Sequence, residues 1–161
     1  DLCLFANNAD RWRVKGSGHF LPESSGSYDV GGTSNLARDI YLSRRIVAGG
    51  STPSSSTGTG AGTSPSLSVS DAAFAVFVDL TTGSSPSANA KIFDLTMPTA
   101  APNYYQAILQ PANAAAAALN GNQRPFVSDA DVTSTKVTIK SGSTGLAAST
   151  QYLWYVLIIA V

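Results

Sequence analysis

Apolar runs of strand length, each closed by turn-forming residues, constrain the fold of this chain more than any other feature. The second half of the sequence holds five clear strand candidates: 73–80, 90–97, 104–110, 132–140 and 152–161. Loops rich in Gly, Ser, Thr and Pro separate them, which is typical of an antiparallel sandwich or barrel. The alanine-rich run 112–119 favours a helix, but the Pro before it and the Asn-Gly after it limit it to about two turns. We expect a short helix or a loop there.

Alternation assigns faces along 132–140. Two β-branched residues would face a core, Val137 and Ile139. The polar residues beside them would face outward, namely Lys136, Thr138 and Lys140.

The closing run 152–161 is strongly apolar but too short to cross a bilayer as a helix, which needs about 20 residues. It predicts a buried terminal strand and no membrane insertion. On such a strand Tyr152 and Trp154 share one face, while Leu153 and Tyr155 share the other.

Composition divides the chain into three parts. Residues 1–50 predict a hairpin-rich module, because short strand candidates alternate with turns: 2–6, 11–14, 19–21, 28–30 and 39–47. Residues 51–66 consist almost entirely of Gly, Ser, Thr, Pro and Ala and predict a linker or long exposed loop. Residues 67–161 predict an antiparallel, jelly-roll-like β-sandwich. The fold class expected is therefore mainly β.

Charge is scarce and balanced. Charged residues make up 12% of the chain, about half the usual quarter, while 43% are hydrophobic. Ten Lys and Arg balance ten Asp and Glu, so no basic surface for nucleic acid is predicted. Few ionic groups leave little repulsion between copies, which suits a subunit of an assembly.

The inventory of reactive side chains is poor. His19 is the only histidine and Glu23 the only glutamate, so a catalytic acid–base pair would need scattered aspartates, namely Asp79, Asp94, Asp129 and Asp131. Asp129 and Asp131 could offer oxygens to Ca²⁺, but the rest of a calcium-loop spacing is absent. The sequence predicts no catalytic residue, no metal and no cofactor.

Residues 4–47 contain an ordered pattern: Arg-Trp-x-Val, Gly-His-x-Leu-Pro, Tyr-Asp-x-Gly and Arg-Asp-x-Tyr-Leu-Ser. The residues that carry it are Asn7, Asn8, Arg11, Trp12, Val14, Gly18, His19, Leu21, Pro22, Tyr28, Asp29, Val30, Gly31, Thr33, Ser34, Arg38, Asp39, Ile40, Tyr41, Leu42, Ser43 and Ile46. This pattern resembles a repeat of tail-fibre and other appendage proteins of tailed bacteriophages. The chain departs from it at Ala37 and at Arg44-Arg45. The resemblance implies a trimeric β-structured connector in the virion, without an active site.

Large side chains of this module are candidates for a subunit interface, since about fifty residues can hardly bury them alone. These are Trp12, Tyr28 and Tyr41, with Arg38 and Asp39 as a charged pair. A second group of aromatics is predicted to pack in a core or interface, or alternatively to stack on sugar rings of a host-surface glycan: Tyr104, Tyr105, Tyr152, Trp154 and Tyr155.

Residues 91–161 contain an early Tyr-Tyr strand, a Phe-Val followed by a Val-Thr strand, and a closing Gly-Leu-Ala, then Tyr-x-Trp-x-Val. These features are loosely similar to the tip domains of phage fibres, which implies a receptor-contacting head. The function expected is that of a non-enzymatic, homotrimeric virion appendage subunit, with other virion proteins and a host glycan as partners. Two alternatives stay open. One is a capsid decoration or head-fibre protein, and the other is a carbohydrate-binding module of a larger secreted protein, which would be a monomer.

Overall fold

The computed structural model describes residues 2–6, 9–17, 19–22, 51–70 and 75–161. Contacts divide the chain into two compact units, Asp1–Ile46 and Val47–Val161. The protein is mainly β, as the sequence predicts, and its sheets are antiparallel.

The first unit contains an antiparallel three-stranded sheet in the order β1-β2-β3. Its strands are β1 (Leu2–Ala6), β2 (Ala9–Val14) and β3 (Phe20–Pro22). The ring of Trp12 stacks on Phe20, with centroids 4.6 Å apart and planes 8° apart. The strands expected over 28–30 and 39–47 lie outside the described residues.

The second unit is a sandwich of two four-stranded sheets. Sheet I has the order β4-β7-β10-β9 and sheet II the order β5-β6-β11-β8. The strands are β4 (Ser54–Thr57), β5 (Ser66–Ser70), β6 (Ala75–Thr81), β7 (Lys91–Thr96), β8 (Tyr105–Pro111), β9 (Phe126–Val127), β10 (Lys136–Lys140) and β11 (Gln151–Ala160). Among the described strands of these two sheets, β5–β6 and β9–β10 are the consecutive pairs that are neighbours in one sheet, so the other connections run between the sheets.

The core lies between the two sheets. Alternate residues of β6 and β11 point into it, as the burial pattern of each strand shows. The Phe93 ring on β7 contacts Trp154 on β11, with centroids 6.1 Å apart. Val137 and Ile139 on β10 are fully buried, which confirms their predicted core face. The apolar closing run is the terminal strand that the sequence predicts.

The alanine-rich run forms a single short helix, α1 (Ala114–Ala117). The Asn113 side chain caps it by accepting a hydrogen bond of 2.9 Å from the Ala116 N–H. Ala116 is buried against the core, while the rest of the expected two turns is not helical. A short helix between strands is thus confirmed.

The prediction of a linker or long exposed loop over 51–66 is corrected: most of these residues are exposed, but part of the stretch has regular structure. Residues 54–57 form β4, which pairs with β7, and residues 59–61 form a 3-10 helix in which Gly60 and Ala61 are buried. A Cβ on Gly60 would lie 2.6 Å from the Ala90 carbonyl oxygen, so the small residue is needed for close backbone packing. The glycines therefore build part of the sandwich instead of a flexible connection.

The predicted outward position of Thr138 is also corrected. Thr138 is buried, because the 3-10 turn at Asp129–Asp131 and the Asp94 side chain lie against it. Alternation gave the correct side of the sheet for Thr138 but could not show that another segment covers that side.

Candidate functional site

A cavity of about 550 Å³ lies beside β8, the edge strand of sheet II. We call it the edge cavity. Its lining residues are Tyr104, Tyr105, Gln106, Ala107, Ile108, Val127, Asp129, Val132 and Ile159. The lining thus combines the edge strand β8 with Tyr104 before it, the end of β11, and β9 with the segment that follows it. Its size falls in the range of small-molecule sites, about 300–1,000 Å³.

The backbone of β8 offers hydrogen-bonding groups toward this edge. Tyr104 exchanges two backbone hydrogen bonds with Val161, and Ala112 donates to Leu153 at the other end of the strand pair. Because hydrogen-bonded pairs alternate along an antiparallel ladder, the even-numbered residues of β8 face β11. The N–H and C=O groups of Tyr105, Ala107 and Leu109 therefore point away from β11. They have no backbone partner in the described part of the chain.

Two tyrosines stand at the start of β8. Tyr104 has 42% of its surface exposed, so its ring is available to a ligand in the edge cavity. Tyr105 is half-buried against the core, and its hydroxyl donates a hydrogen bond to the Thr99 carbonyl. The first ring can contact a ligand, whereas the second is held as part of the wall.

The opposite wall is fixed by Asp131. Its carboxylate accepts hydrogen bonds of 2.6 Å from the Ser128 hydroxyl and from the Lys140 ammonium group. The hydrogen bond from Lys140, followed by that from Ser128, holds the pKa of Asp131 below its ordinary value. These contacts fix the 3-10 turn, and the neighbouring Asp129 carboxylate is exposed at the edge cavity.

The outer side of sheet I carries a polar network. The buried carboxylate of Asp94 accepts hydrogen bonds from Lys91 at 2.8 Å and from Thr138 at 2.6 Å. Burial raises the pKa of Asp94, but the hydrogen bonds from Lys91 and Thr138 outweigh burial and hold the pKa below its ordinary value. Lys136 adds a further positive charge 4.0 Å away. This side of the sandwich is charged and hydrogen-bonded.

The outer face of sheet II is different. Its outward strand positions carry large apolar side chains at Phe77, Ile108, Leu153, Tyr155, Leu157 and Ile159. The rings of Phe77 and Tyr155 contact each other, with centroids 5.3 Å apart. The outer face of sheet II and the edge cavity meet at Ile108 and Ile159, which belong to both.

The structure separates the five aromatics that were predicted to pack or to bind sugar. Tyr152 and Trp154 stack on each other in the core and are 3% and 2% exposed, so we remove them from the candidate ligand contacts. Tyr104 and Tyr105 line the edge cavity, and Tyr155 lies on the outer face of sheet II.

Of the predicted interface residues, Trp12 is half-buried beside Phe20. Tyr28, Tyr41, Arg38 and Asp39 lie outside the described residues.

Sequence reasoning missed Gln106, Ile108 and Ile159 as site residues. The signal was present in the alternation of 104–110 and 152–161, which places every second residue on the side opposite to the core. Because outward positions of a strand are normally polar, Ile108, Leu157 and Ile159 could have been recognised as exceptions.

The other reactive side chains are accounted for locally. His19 is exposed, and its Nδ1 lies 2.9 Å from the Ser17 hydroxyl oxygen. Asp79 accepts hydrogen bonds from the Gln151 amide at 2.9 and 3.1 Å. Among the described residues, no group of His, Cys, Asp and Glu is arranged to hold a metal ion. No helix in that part of the chain has the length and apolarity to cross a membrane.

Fold and surfaces define a β-sandwich protein with a cavity at one sheet edge and large apolar side chains on one outer face. Comparison with protein-family models, curated proteins and solved structures finds no match to the chain.

Proposed function

We propose that the chain is a structural subunit of a bacteriophage virion appendage, a tail fibre or similar, that self-associates and contributes to attachment to the host surface. The resemblance of residues 4–47 to fibre repeats supports the virion assignment. The observation that carries the attachment role is the edge cavity, since it offers an exposed aromatic ring and polar groups on a rigid sandwich.

The edge cavity suits a sugar residue with free hydroxyl groups. The Tyr104 ring can pack against the apolar face of a sugar, while a hydroxyl both donates and accepts hydrogen bonds. Backbone N–H and C=O groups at Tyr105 and Ala107 supply both kinds of partner at the edge of β8. The Asp129 carboxylate and the Gln106 amide add side-chain acceptors and a donor.

The experiment is to probe the purified full chain on an array of oligosaccharides from bacterial surface polysaccharides. We expect Tyr104→Ala to weaken binding of a captured oligosaccharide about tenfold, or about 1.4 kcal/mol, because the stacking ring is lost. Tyr104→Phe keeps the ring and should bind nearly as the wild type. Asp129→Asn should lose affinity only for sugars that donate to the carboxylate.

Ser56→Ala, at an exposed position of β4 on sheet I, is the control and should bind normally. If no oligosaccharide binds, or if Tyr104→Ala binds as well as the wild type, the attachment role through the edge cavity fails. The same cavity would also suit a carbohydrate-binding module. The two functions predict different oligomeric states, because the module would be a monomer and the virion subunit self-associates. Sugar binding by a strict monomer would favour that module over the virion subunit.

A further inference from the structure

The middle of the outer face of sheet II carries large apolar side chains, although the face is exposed; serines and glutamines lie around them. Ile108 is 60% exposed, Tyr155 is 53% exposed and Ile159 is 42% exposed. Phe77, Leu153 and Leu157 lie on the same face and are half-buried by their neighbours. One-sided antiparallel sheets normally present polar residues to water, so this face departs from the expected pattern. Contiguous apolar patches of this kind mark interaction surfaces.

Charge is nearly absent from this face. Among the outward strand positions of sheet II, Asp79 is the one charged residue, and its carboxylate accepts from the Gln151 amide. The edge strand β5 contributes only serines, at Ser66, Ser68 and Ser70. The outer side of sheet I instead carries Lys91, Asp94, Lys136 and Lys140. A face with one carboxylate among its outward strand positions offers few contacts to an ionic partner, and two identical copies of it repel each other little.

The size of the face matches a weak contact between two proteins. The four strands of sheet II together have 29 residues, and β11 is the longest with ten. At about 3.3 Å per residue and about 4.8 Å between strands, they cover about 460 Å². Two copies would therefore bury about 900 Å² in total, which is above most crystal-packing contacts and in the range of weak, transient interfaces.

We infer that a second copy of this chain packs against the outer face of sheet II. The aromatic pair Phe77–Tyr155 lies within the contact, and Ile108 and Ile159 carry the contact to the rim of the edge cavity. The inference rests on the self-association in the proposed function and names the surface responsible. It also places the sugar site at the border of the interface, where a neighbouring copy forms a further wall.

The experiment measures the solution mass of the full chain by light scattering across a concentration series, for the wild type and for Tyr155→Lys. Tyr155 is exposed and does not line the edge cavity, so its replacement should leave the thermal melting curve unchanged. We expect the wild type to be oligomeric. Tyr155→Lys should shift the association midpoint to at least tenfold higher concentration, because each copy would bury a lysine against the other.

Ser56→Lys is the matched control, since it adds the same charge at an exposed strand position of sheet I and should leave the wild-type mass. Tyr155→Ser removes the ring without adding charge and should weaken association by a smaller factor. If Tyr155→Lys unfolds at a lower temperature than the wild type, the comparison of Tyr155→Ser with the wild type provides the test. If the wild type is oligomeric and both Tyr155 variants have the same mass, the inference is overturned, and self-association must use another surface. A wild type that is monomeric throughout would overturn both.

Discussion

At the residue scale, Gly60 shows how closely the second unit is packed. A Cβ at this position would lie 2.6 Å from the Ala90 carbonyl oxygen and 2.7 Å from that of Lys91. Backbone atoms cannot move aside as a flexible side chain can, so the start of β7 would have to shift. We expect Gly60→Ala to lower the free energy of unfolding by about 3 kcal/mol, measured by urea denaturation.

Gly121→Ala is the control for this substitution. A Cβ on Gly121 meets no atom within 4 Å. The φ of Gly121 is +48°, so the loss of stability in Gly121→Ala comes from the backbone conformation alone. That cost should be about 1 kcal/mol. Equal losses in the two variants would show that Gly60 is not packed as closely as described.

At the scale of elements, β7 and β10 are joined on their outer side through Asp94. Its ordinary pKa of 3.8 is lowered in the fold, so the unfolded chain takes up the proton first as the pH falls. The stability contributed by the Asp94 carboxylate is therefore full at neutral pH, declines as the pH approaches 3.8 and is lost below the lowered pKa. We expect Asp94→Asn to be about 1–3 kcal/mol less stable at pH 7 and to lose less stability between pH 6 and about 3, measured by denaturation.

Thr138→Ser keeps the hydroxyl that donates to Asp94 and serves as the control for the acid dependence. It should follow the wild-type curve with a small, pH-independent loss for the missing methyl group. An Asp94→Asn chain that loses as much stability on acidification as the wild type would assign the acid dependence to other carboxylates.

Elements were predictable from sequence where a local apolar run or alternation marks a strand. β7, β10 and β11 follow the runs 90–97, 132–140 and 152–161, with β10 shorter than expected. The stretch 51–66 was misassigned because its composition is that of a flexible chain. The structural reason for its glycines is the backbone of 83–84 and 90–91, which lies far away in sequence. Periodicity and composition do not contain that contact.

The candidate site was predictable in part for a related reason. Aromatic content pointed to Tyr104, Tyr105 and Tyr155, but it could not separate them from Tyr152 and Trp154, which share the apolar character and lie on the buried face. Which face of β11 meets the core depends on the pairing with β6 and on the position of sheet I. The edge cavity likewise lies between segments that are far apart in sequence, namely β8, the end of β11 and residues 127–132, and no local pattern shows that they meet.

At the scale of the whole molecule, the scarcity and balance of charge make a prediction about assembly. The chain has net charge zero, and the face proposed for the second copy is apolar, so association should depend little on ionic screening. We expect the association constant to change less than about threefold between roughly 0.05 and 0.5 M NaCl. Association should strengthen on warming from about 5 to 25 °C, because the stabilisation that comes from burying apolar surface weakens on cooling. A tenfold loss of association in the higher salt, measured by light scattering, would contradict an apolar interface and point to ion pairs between copies.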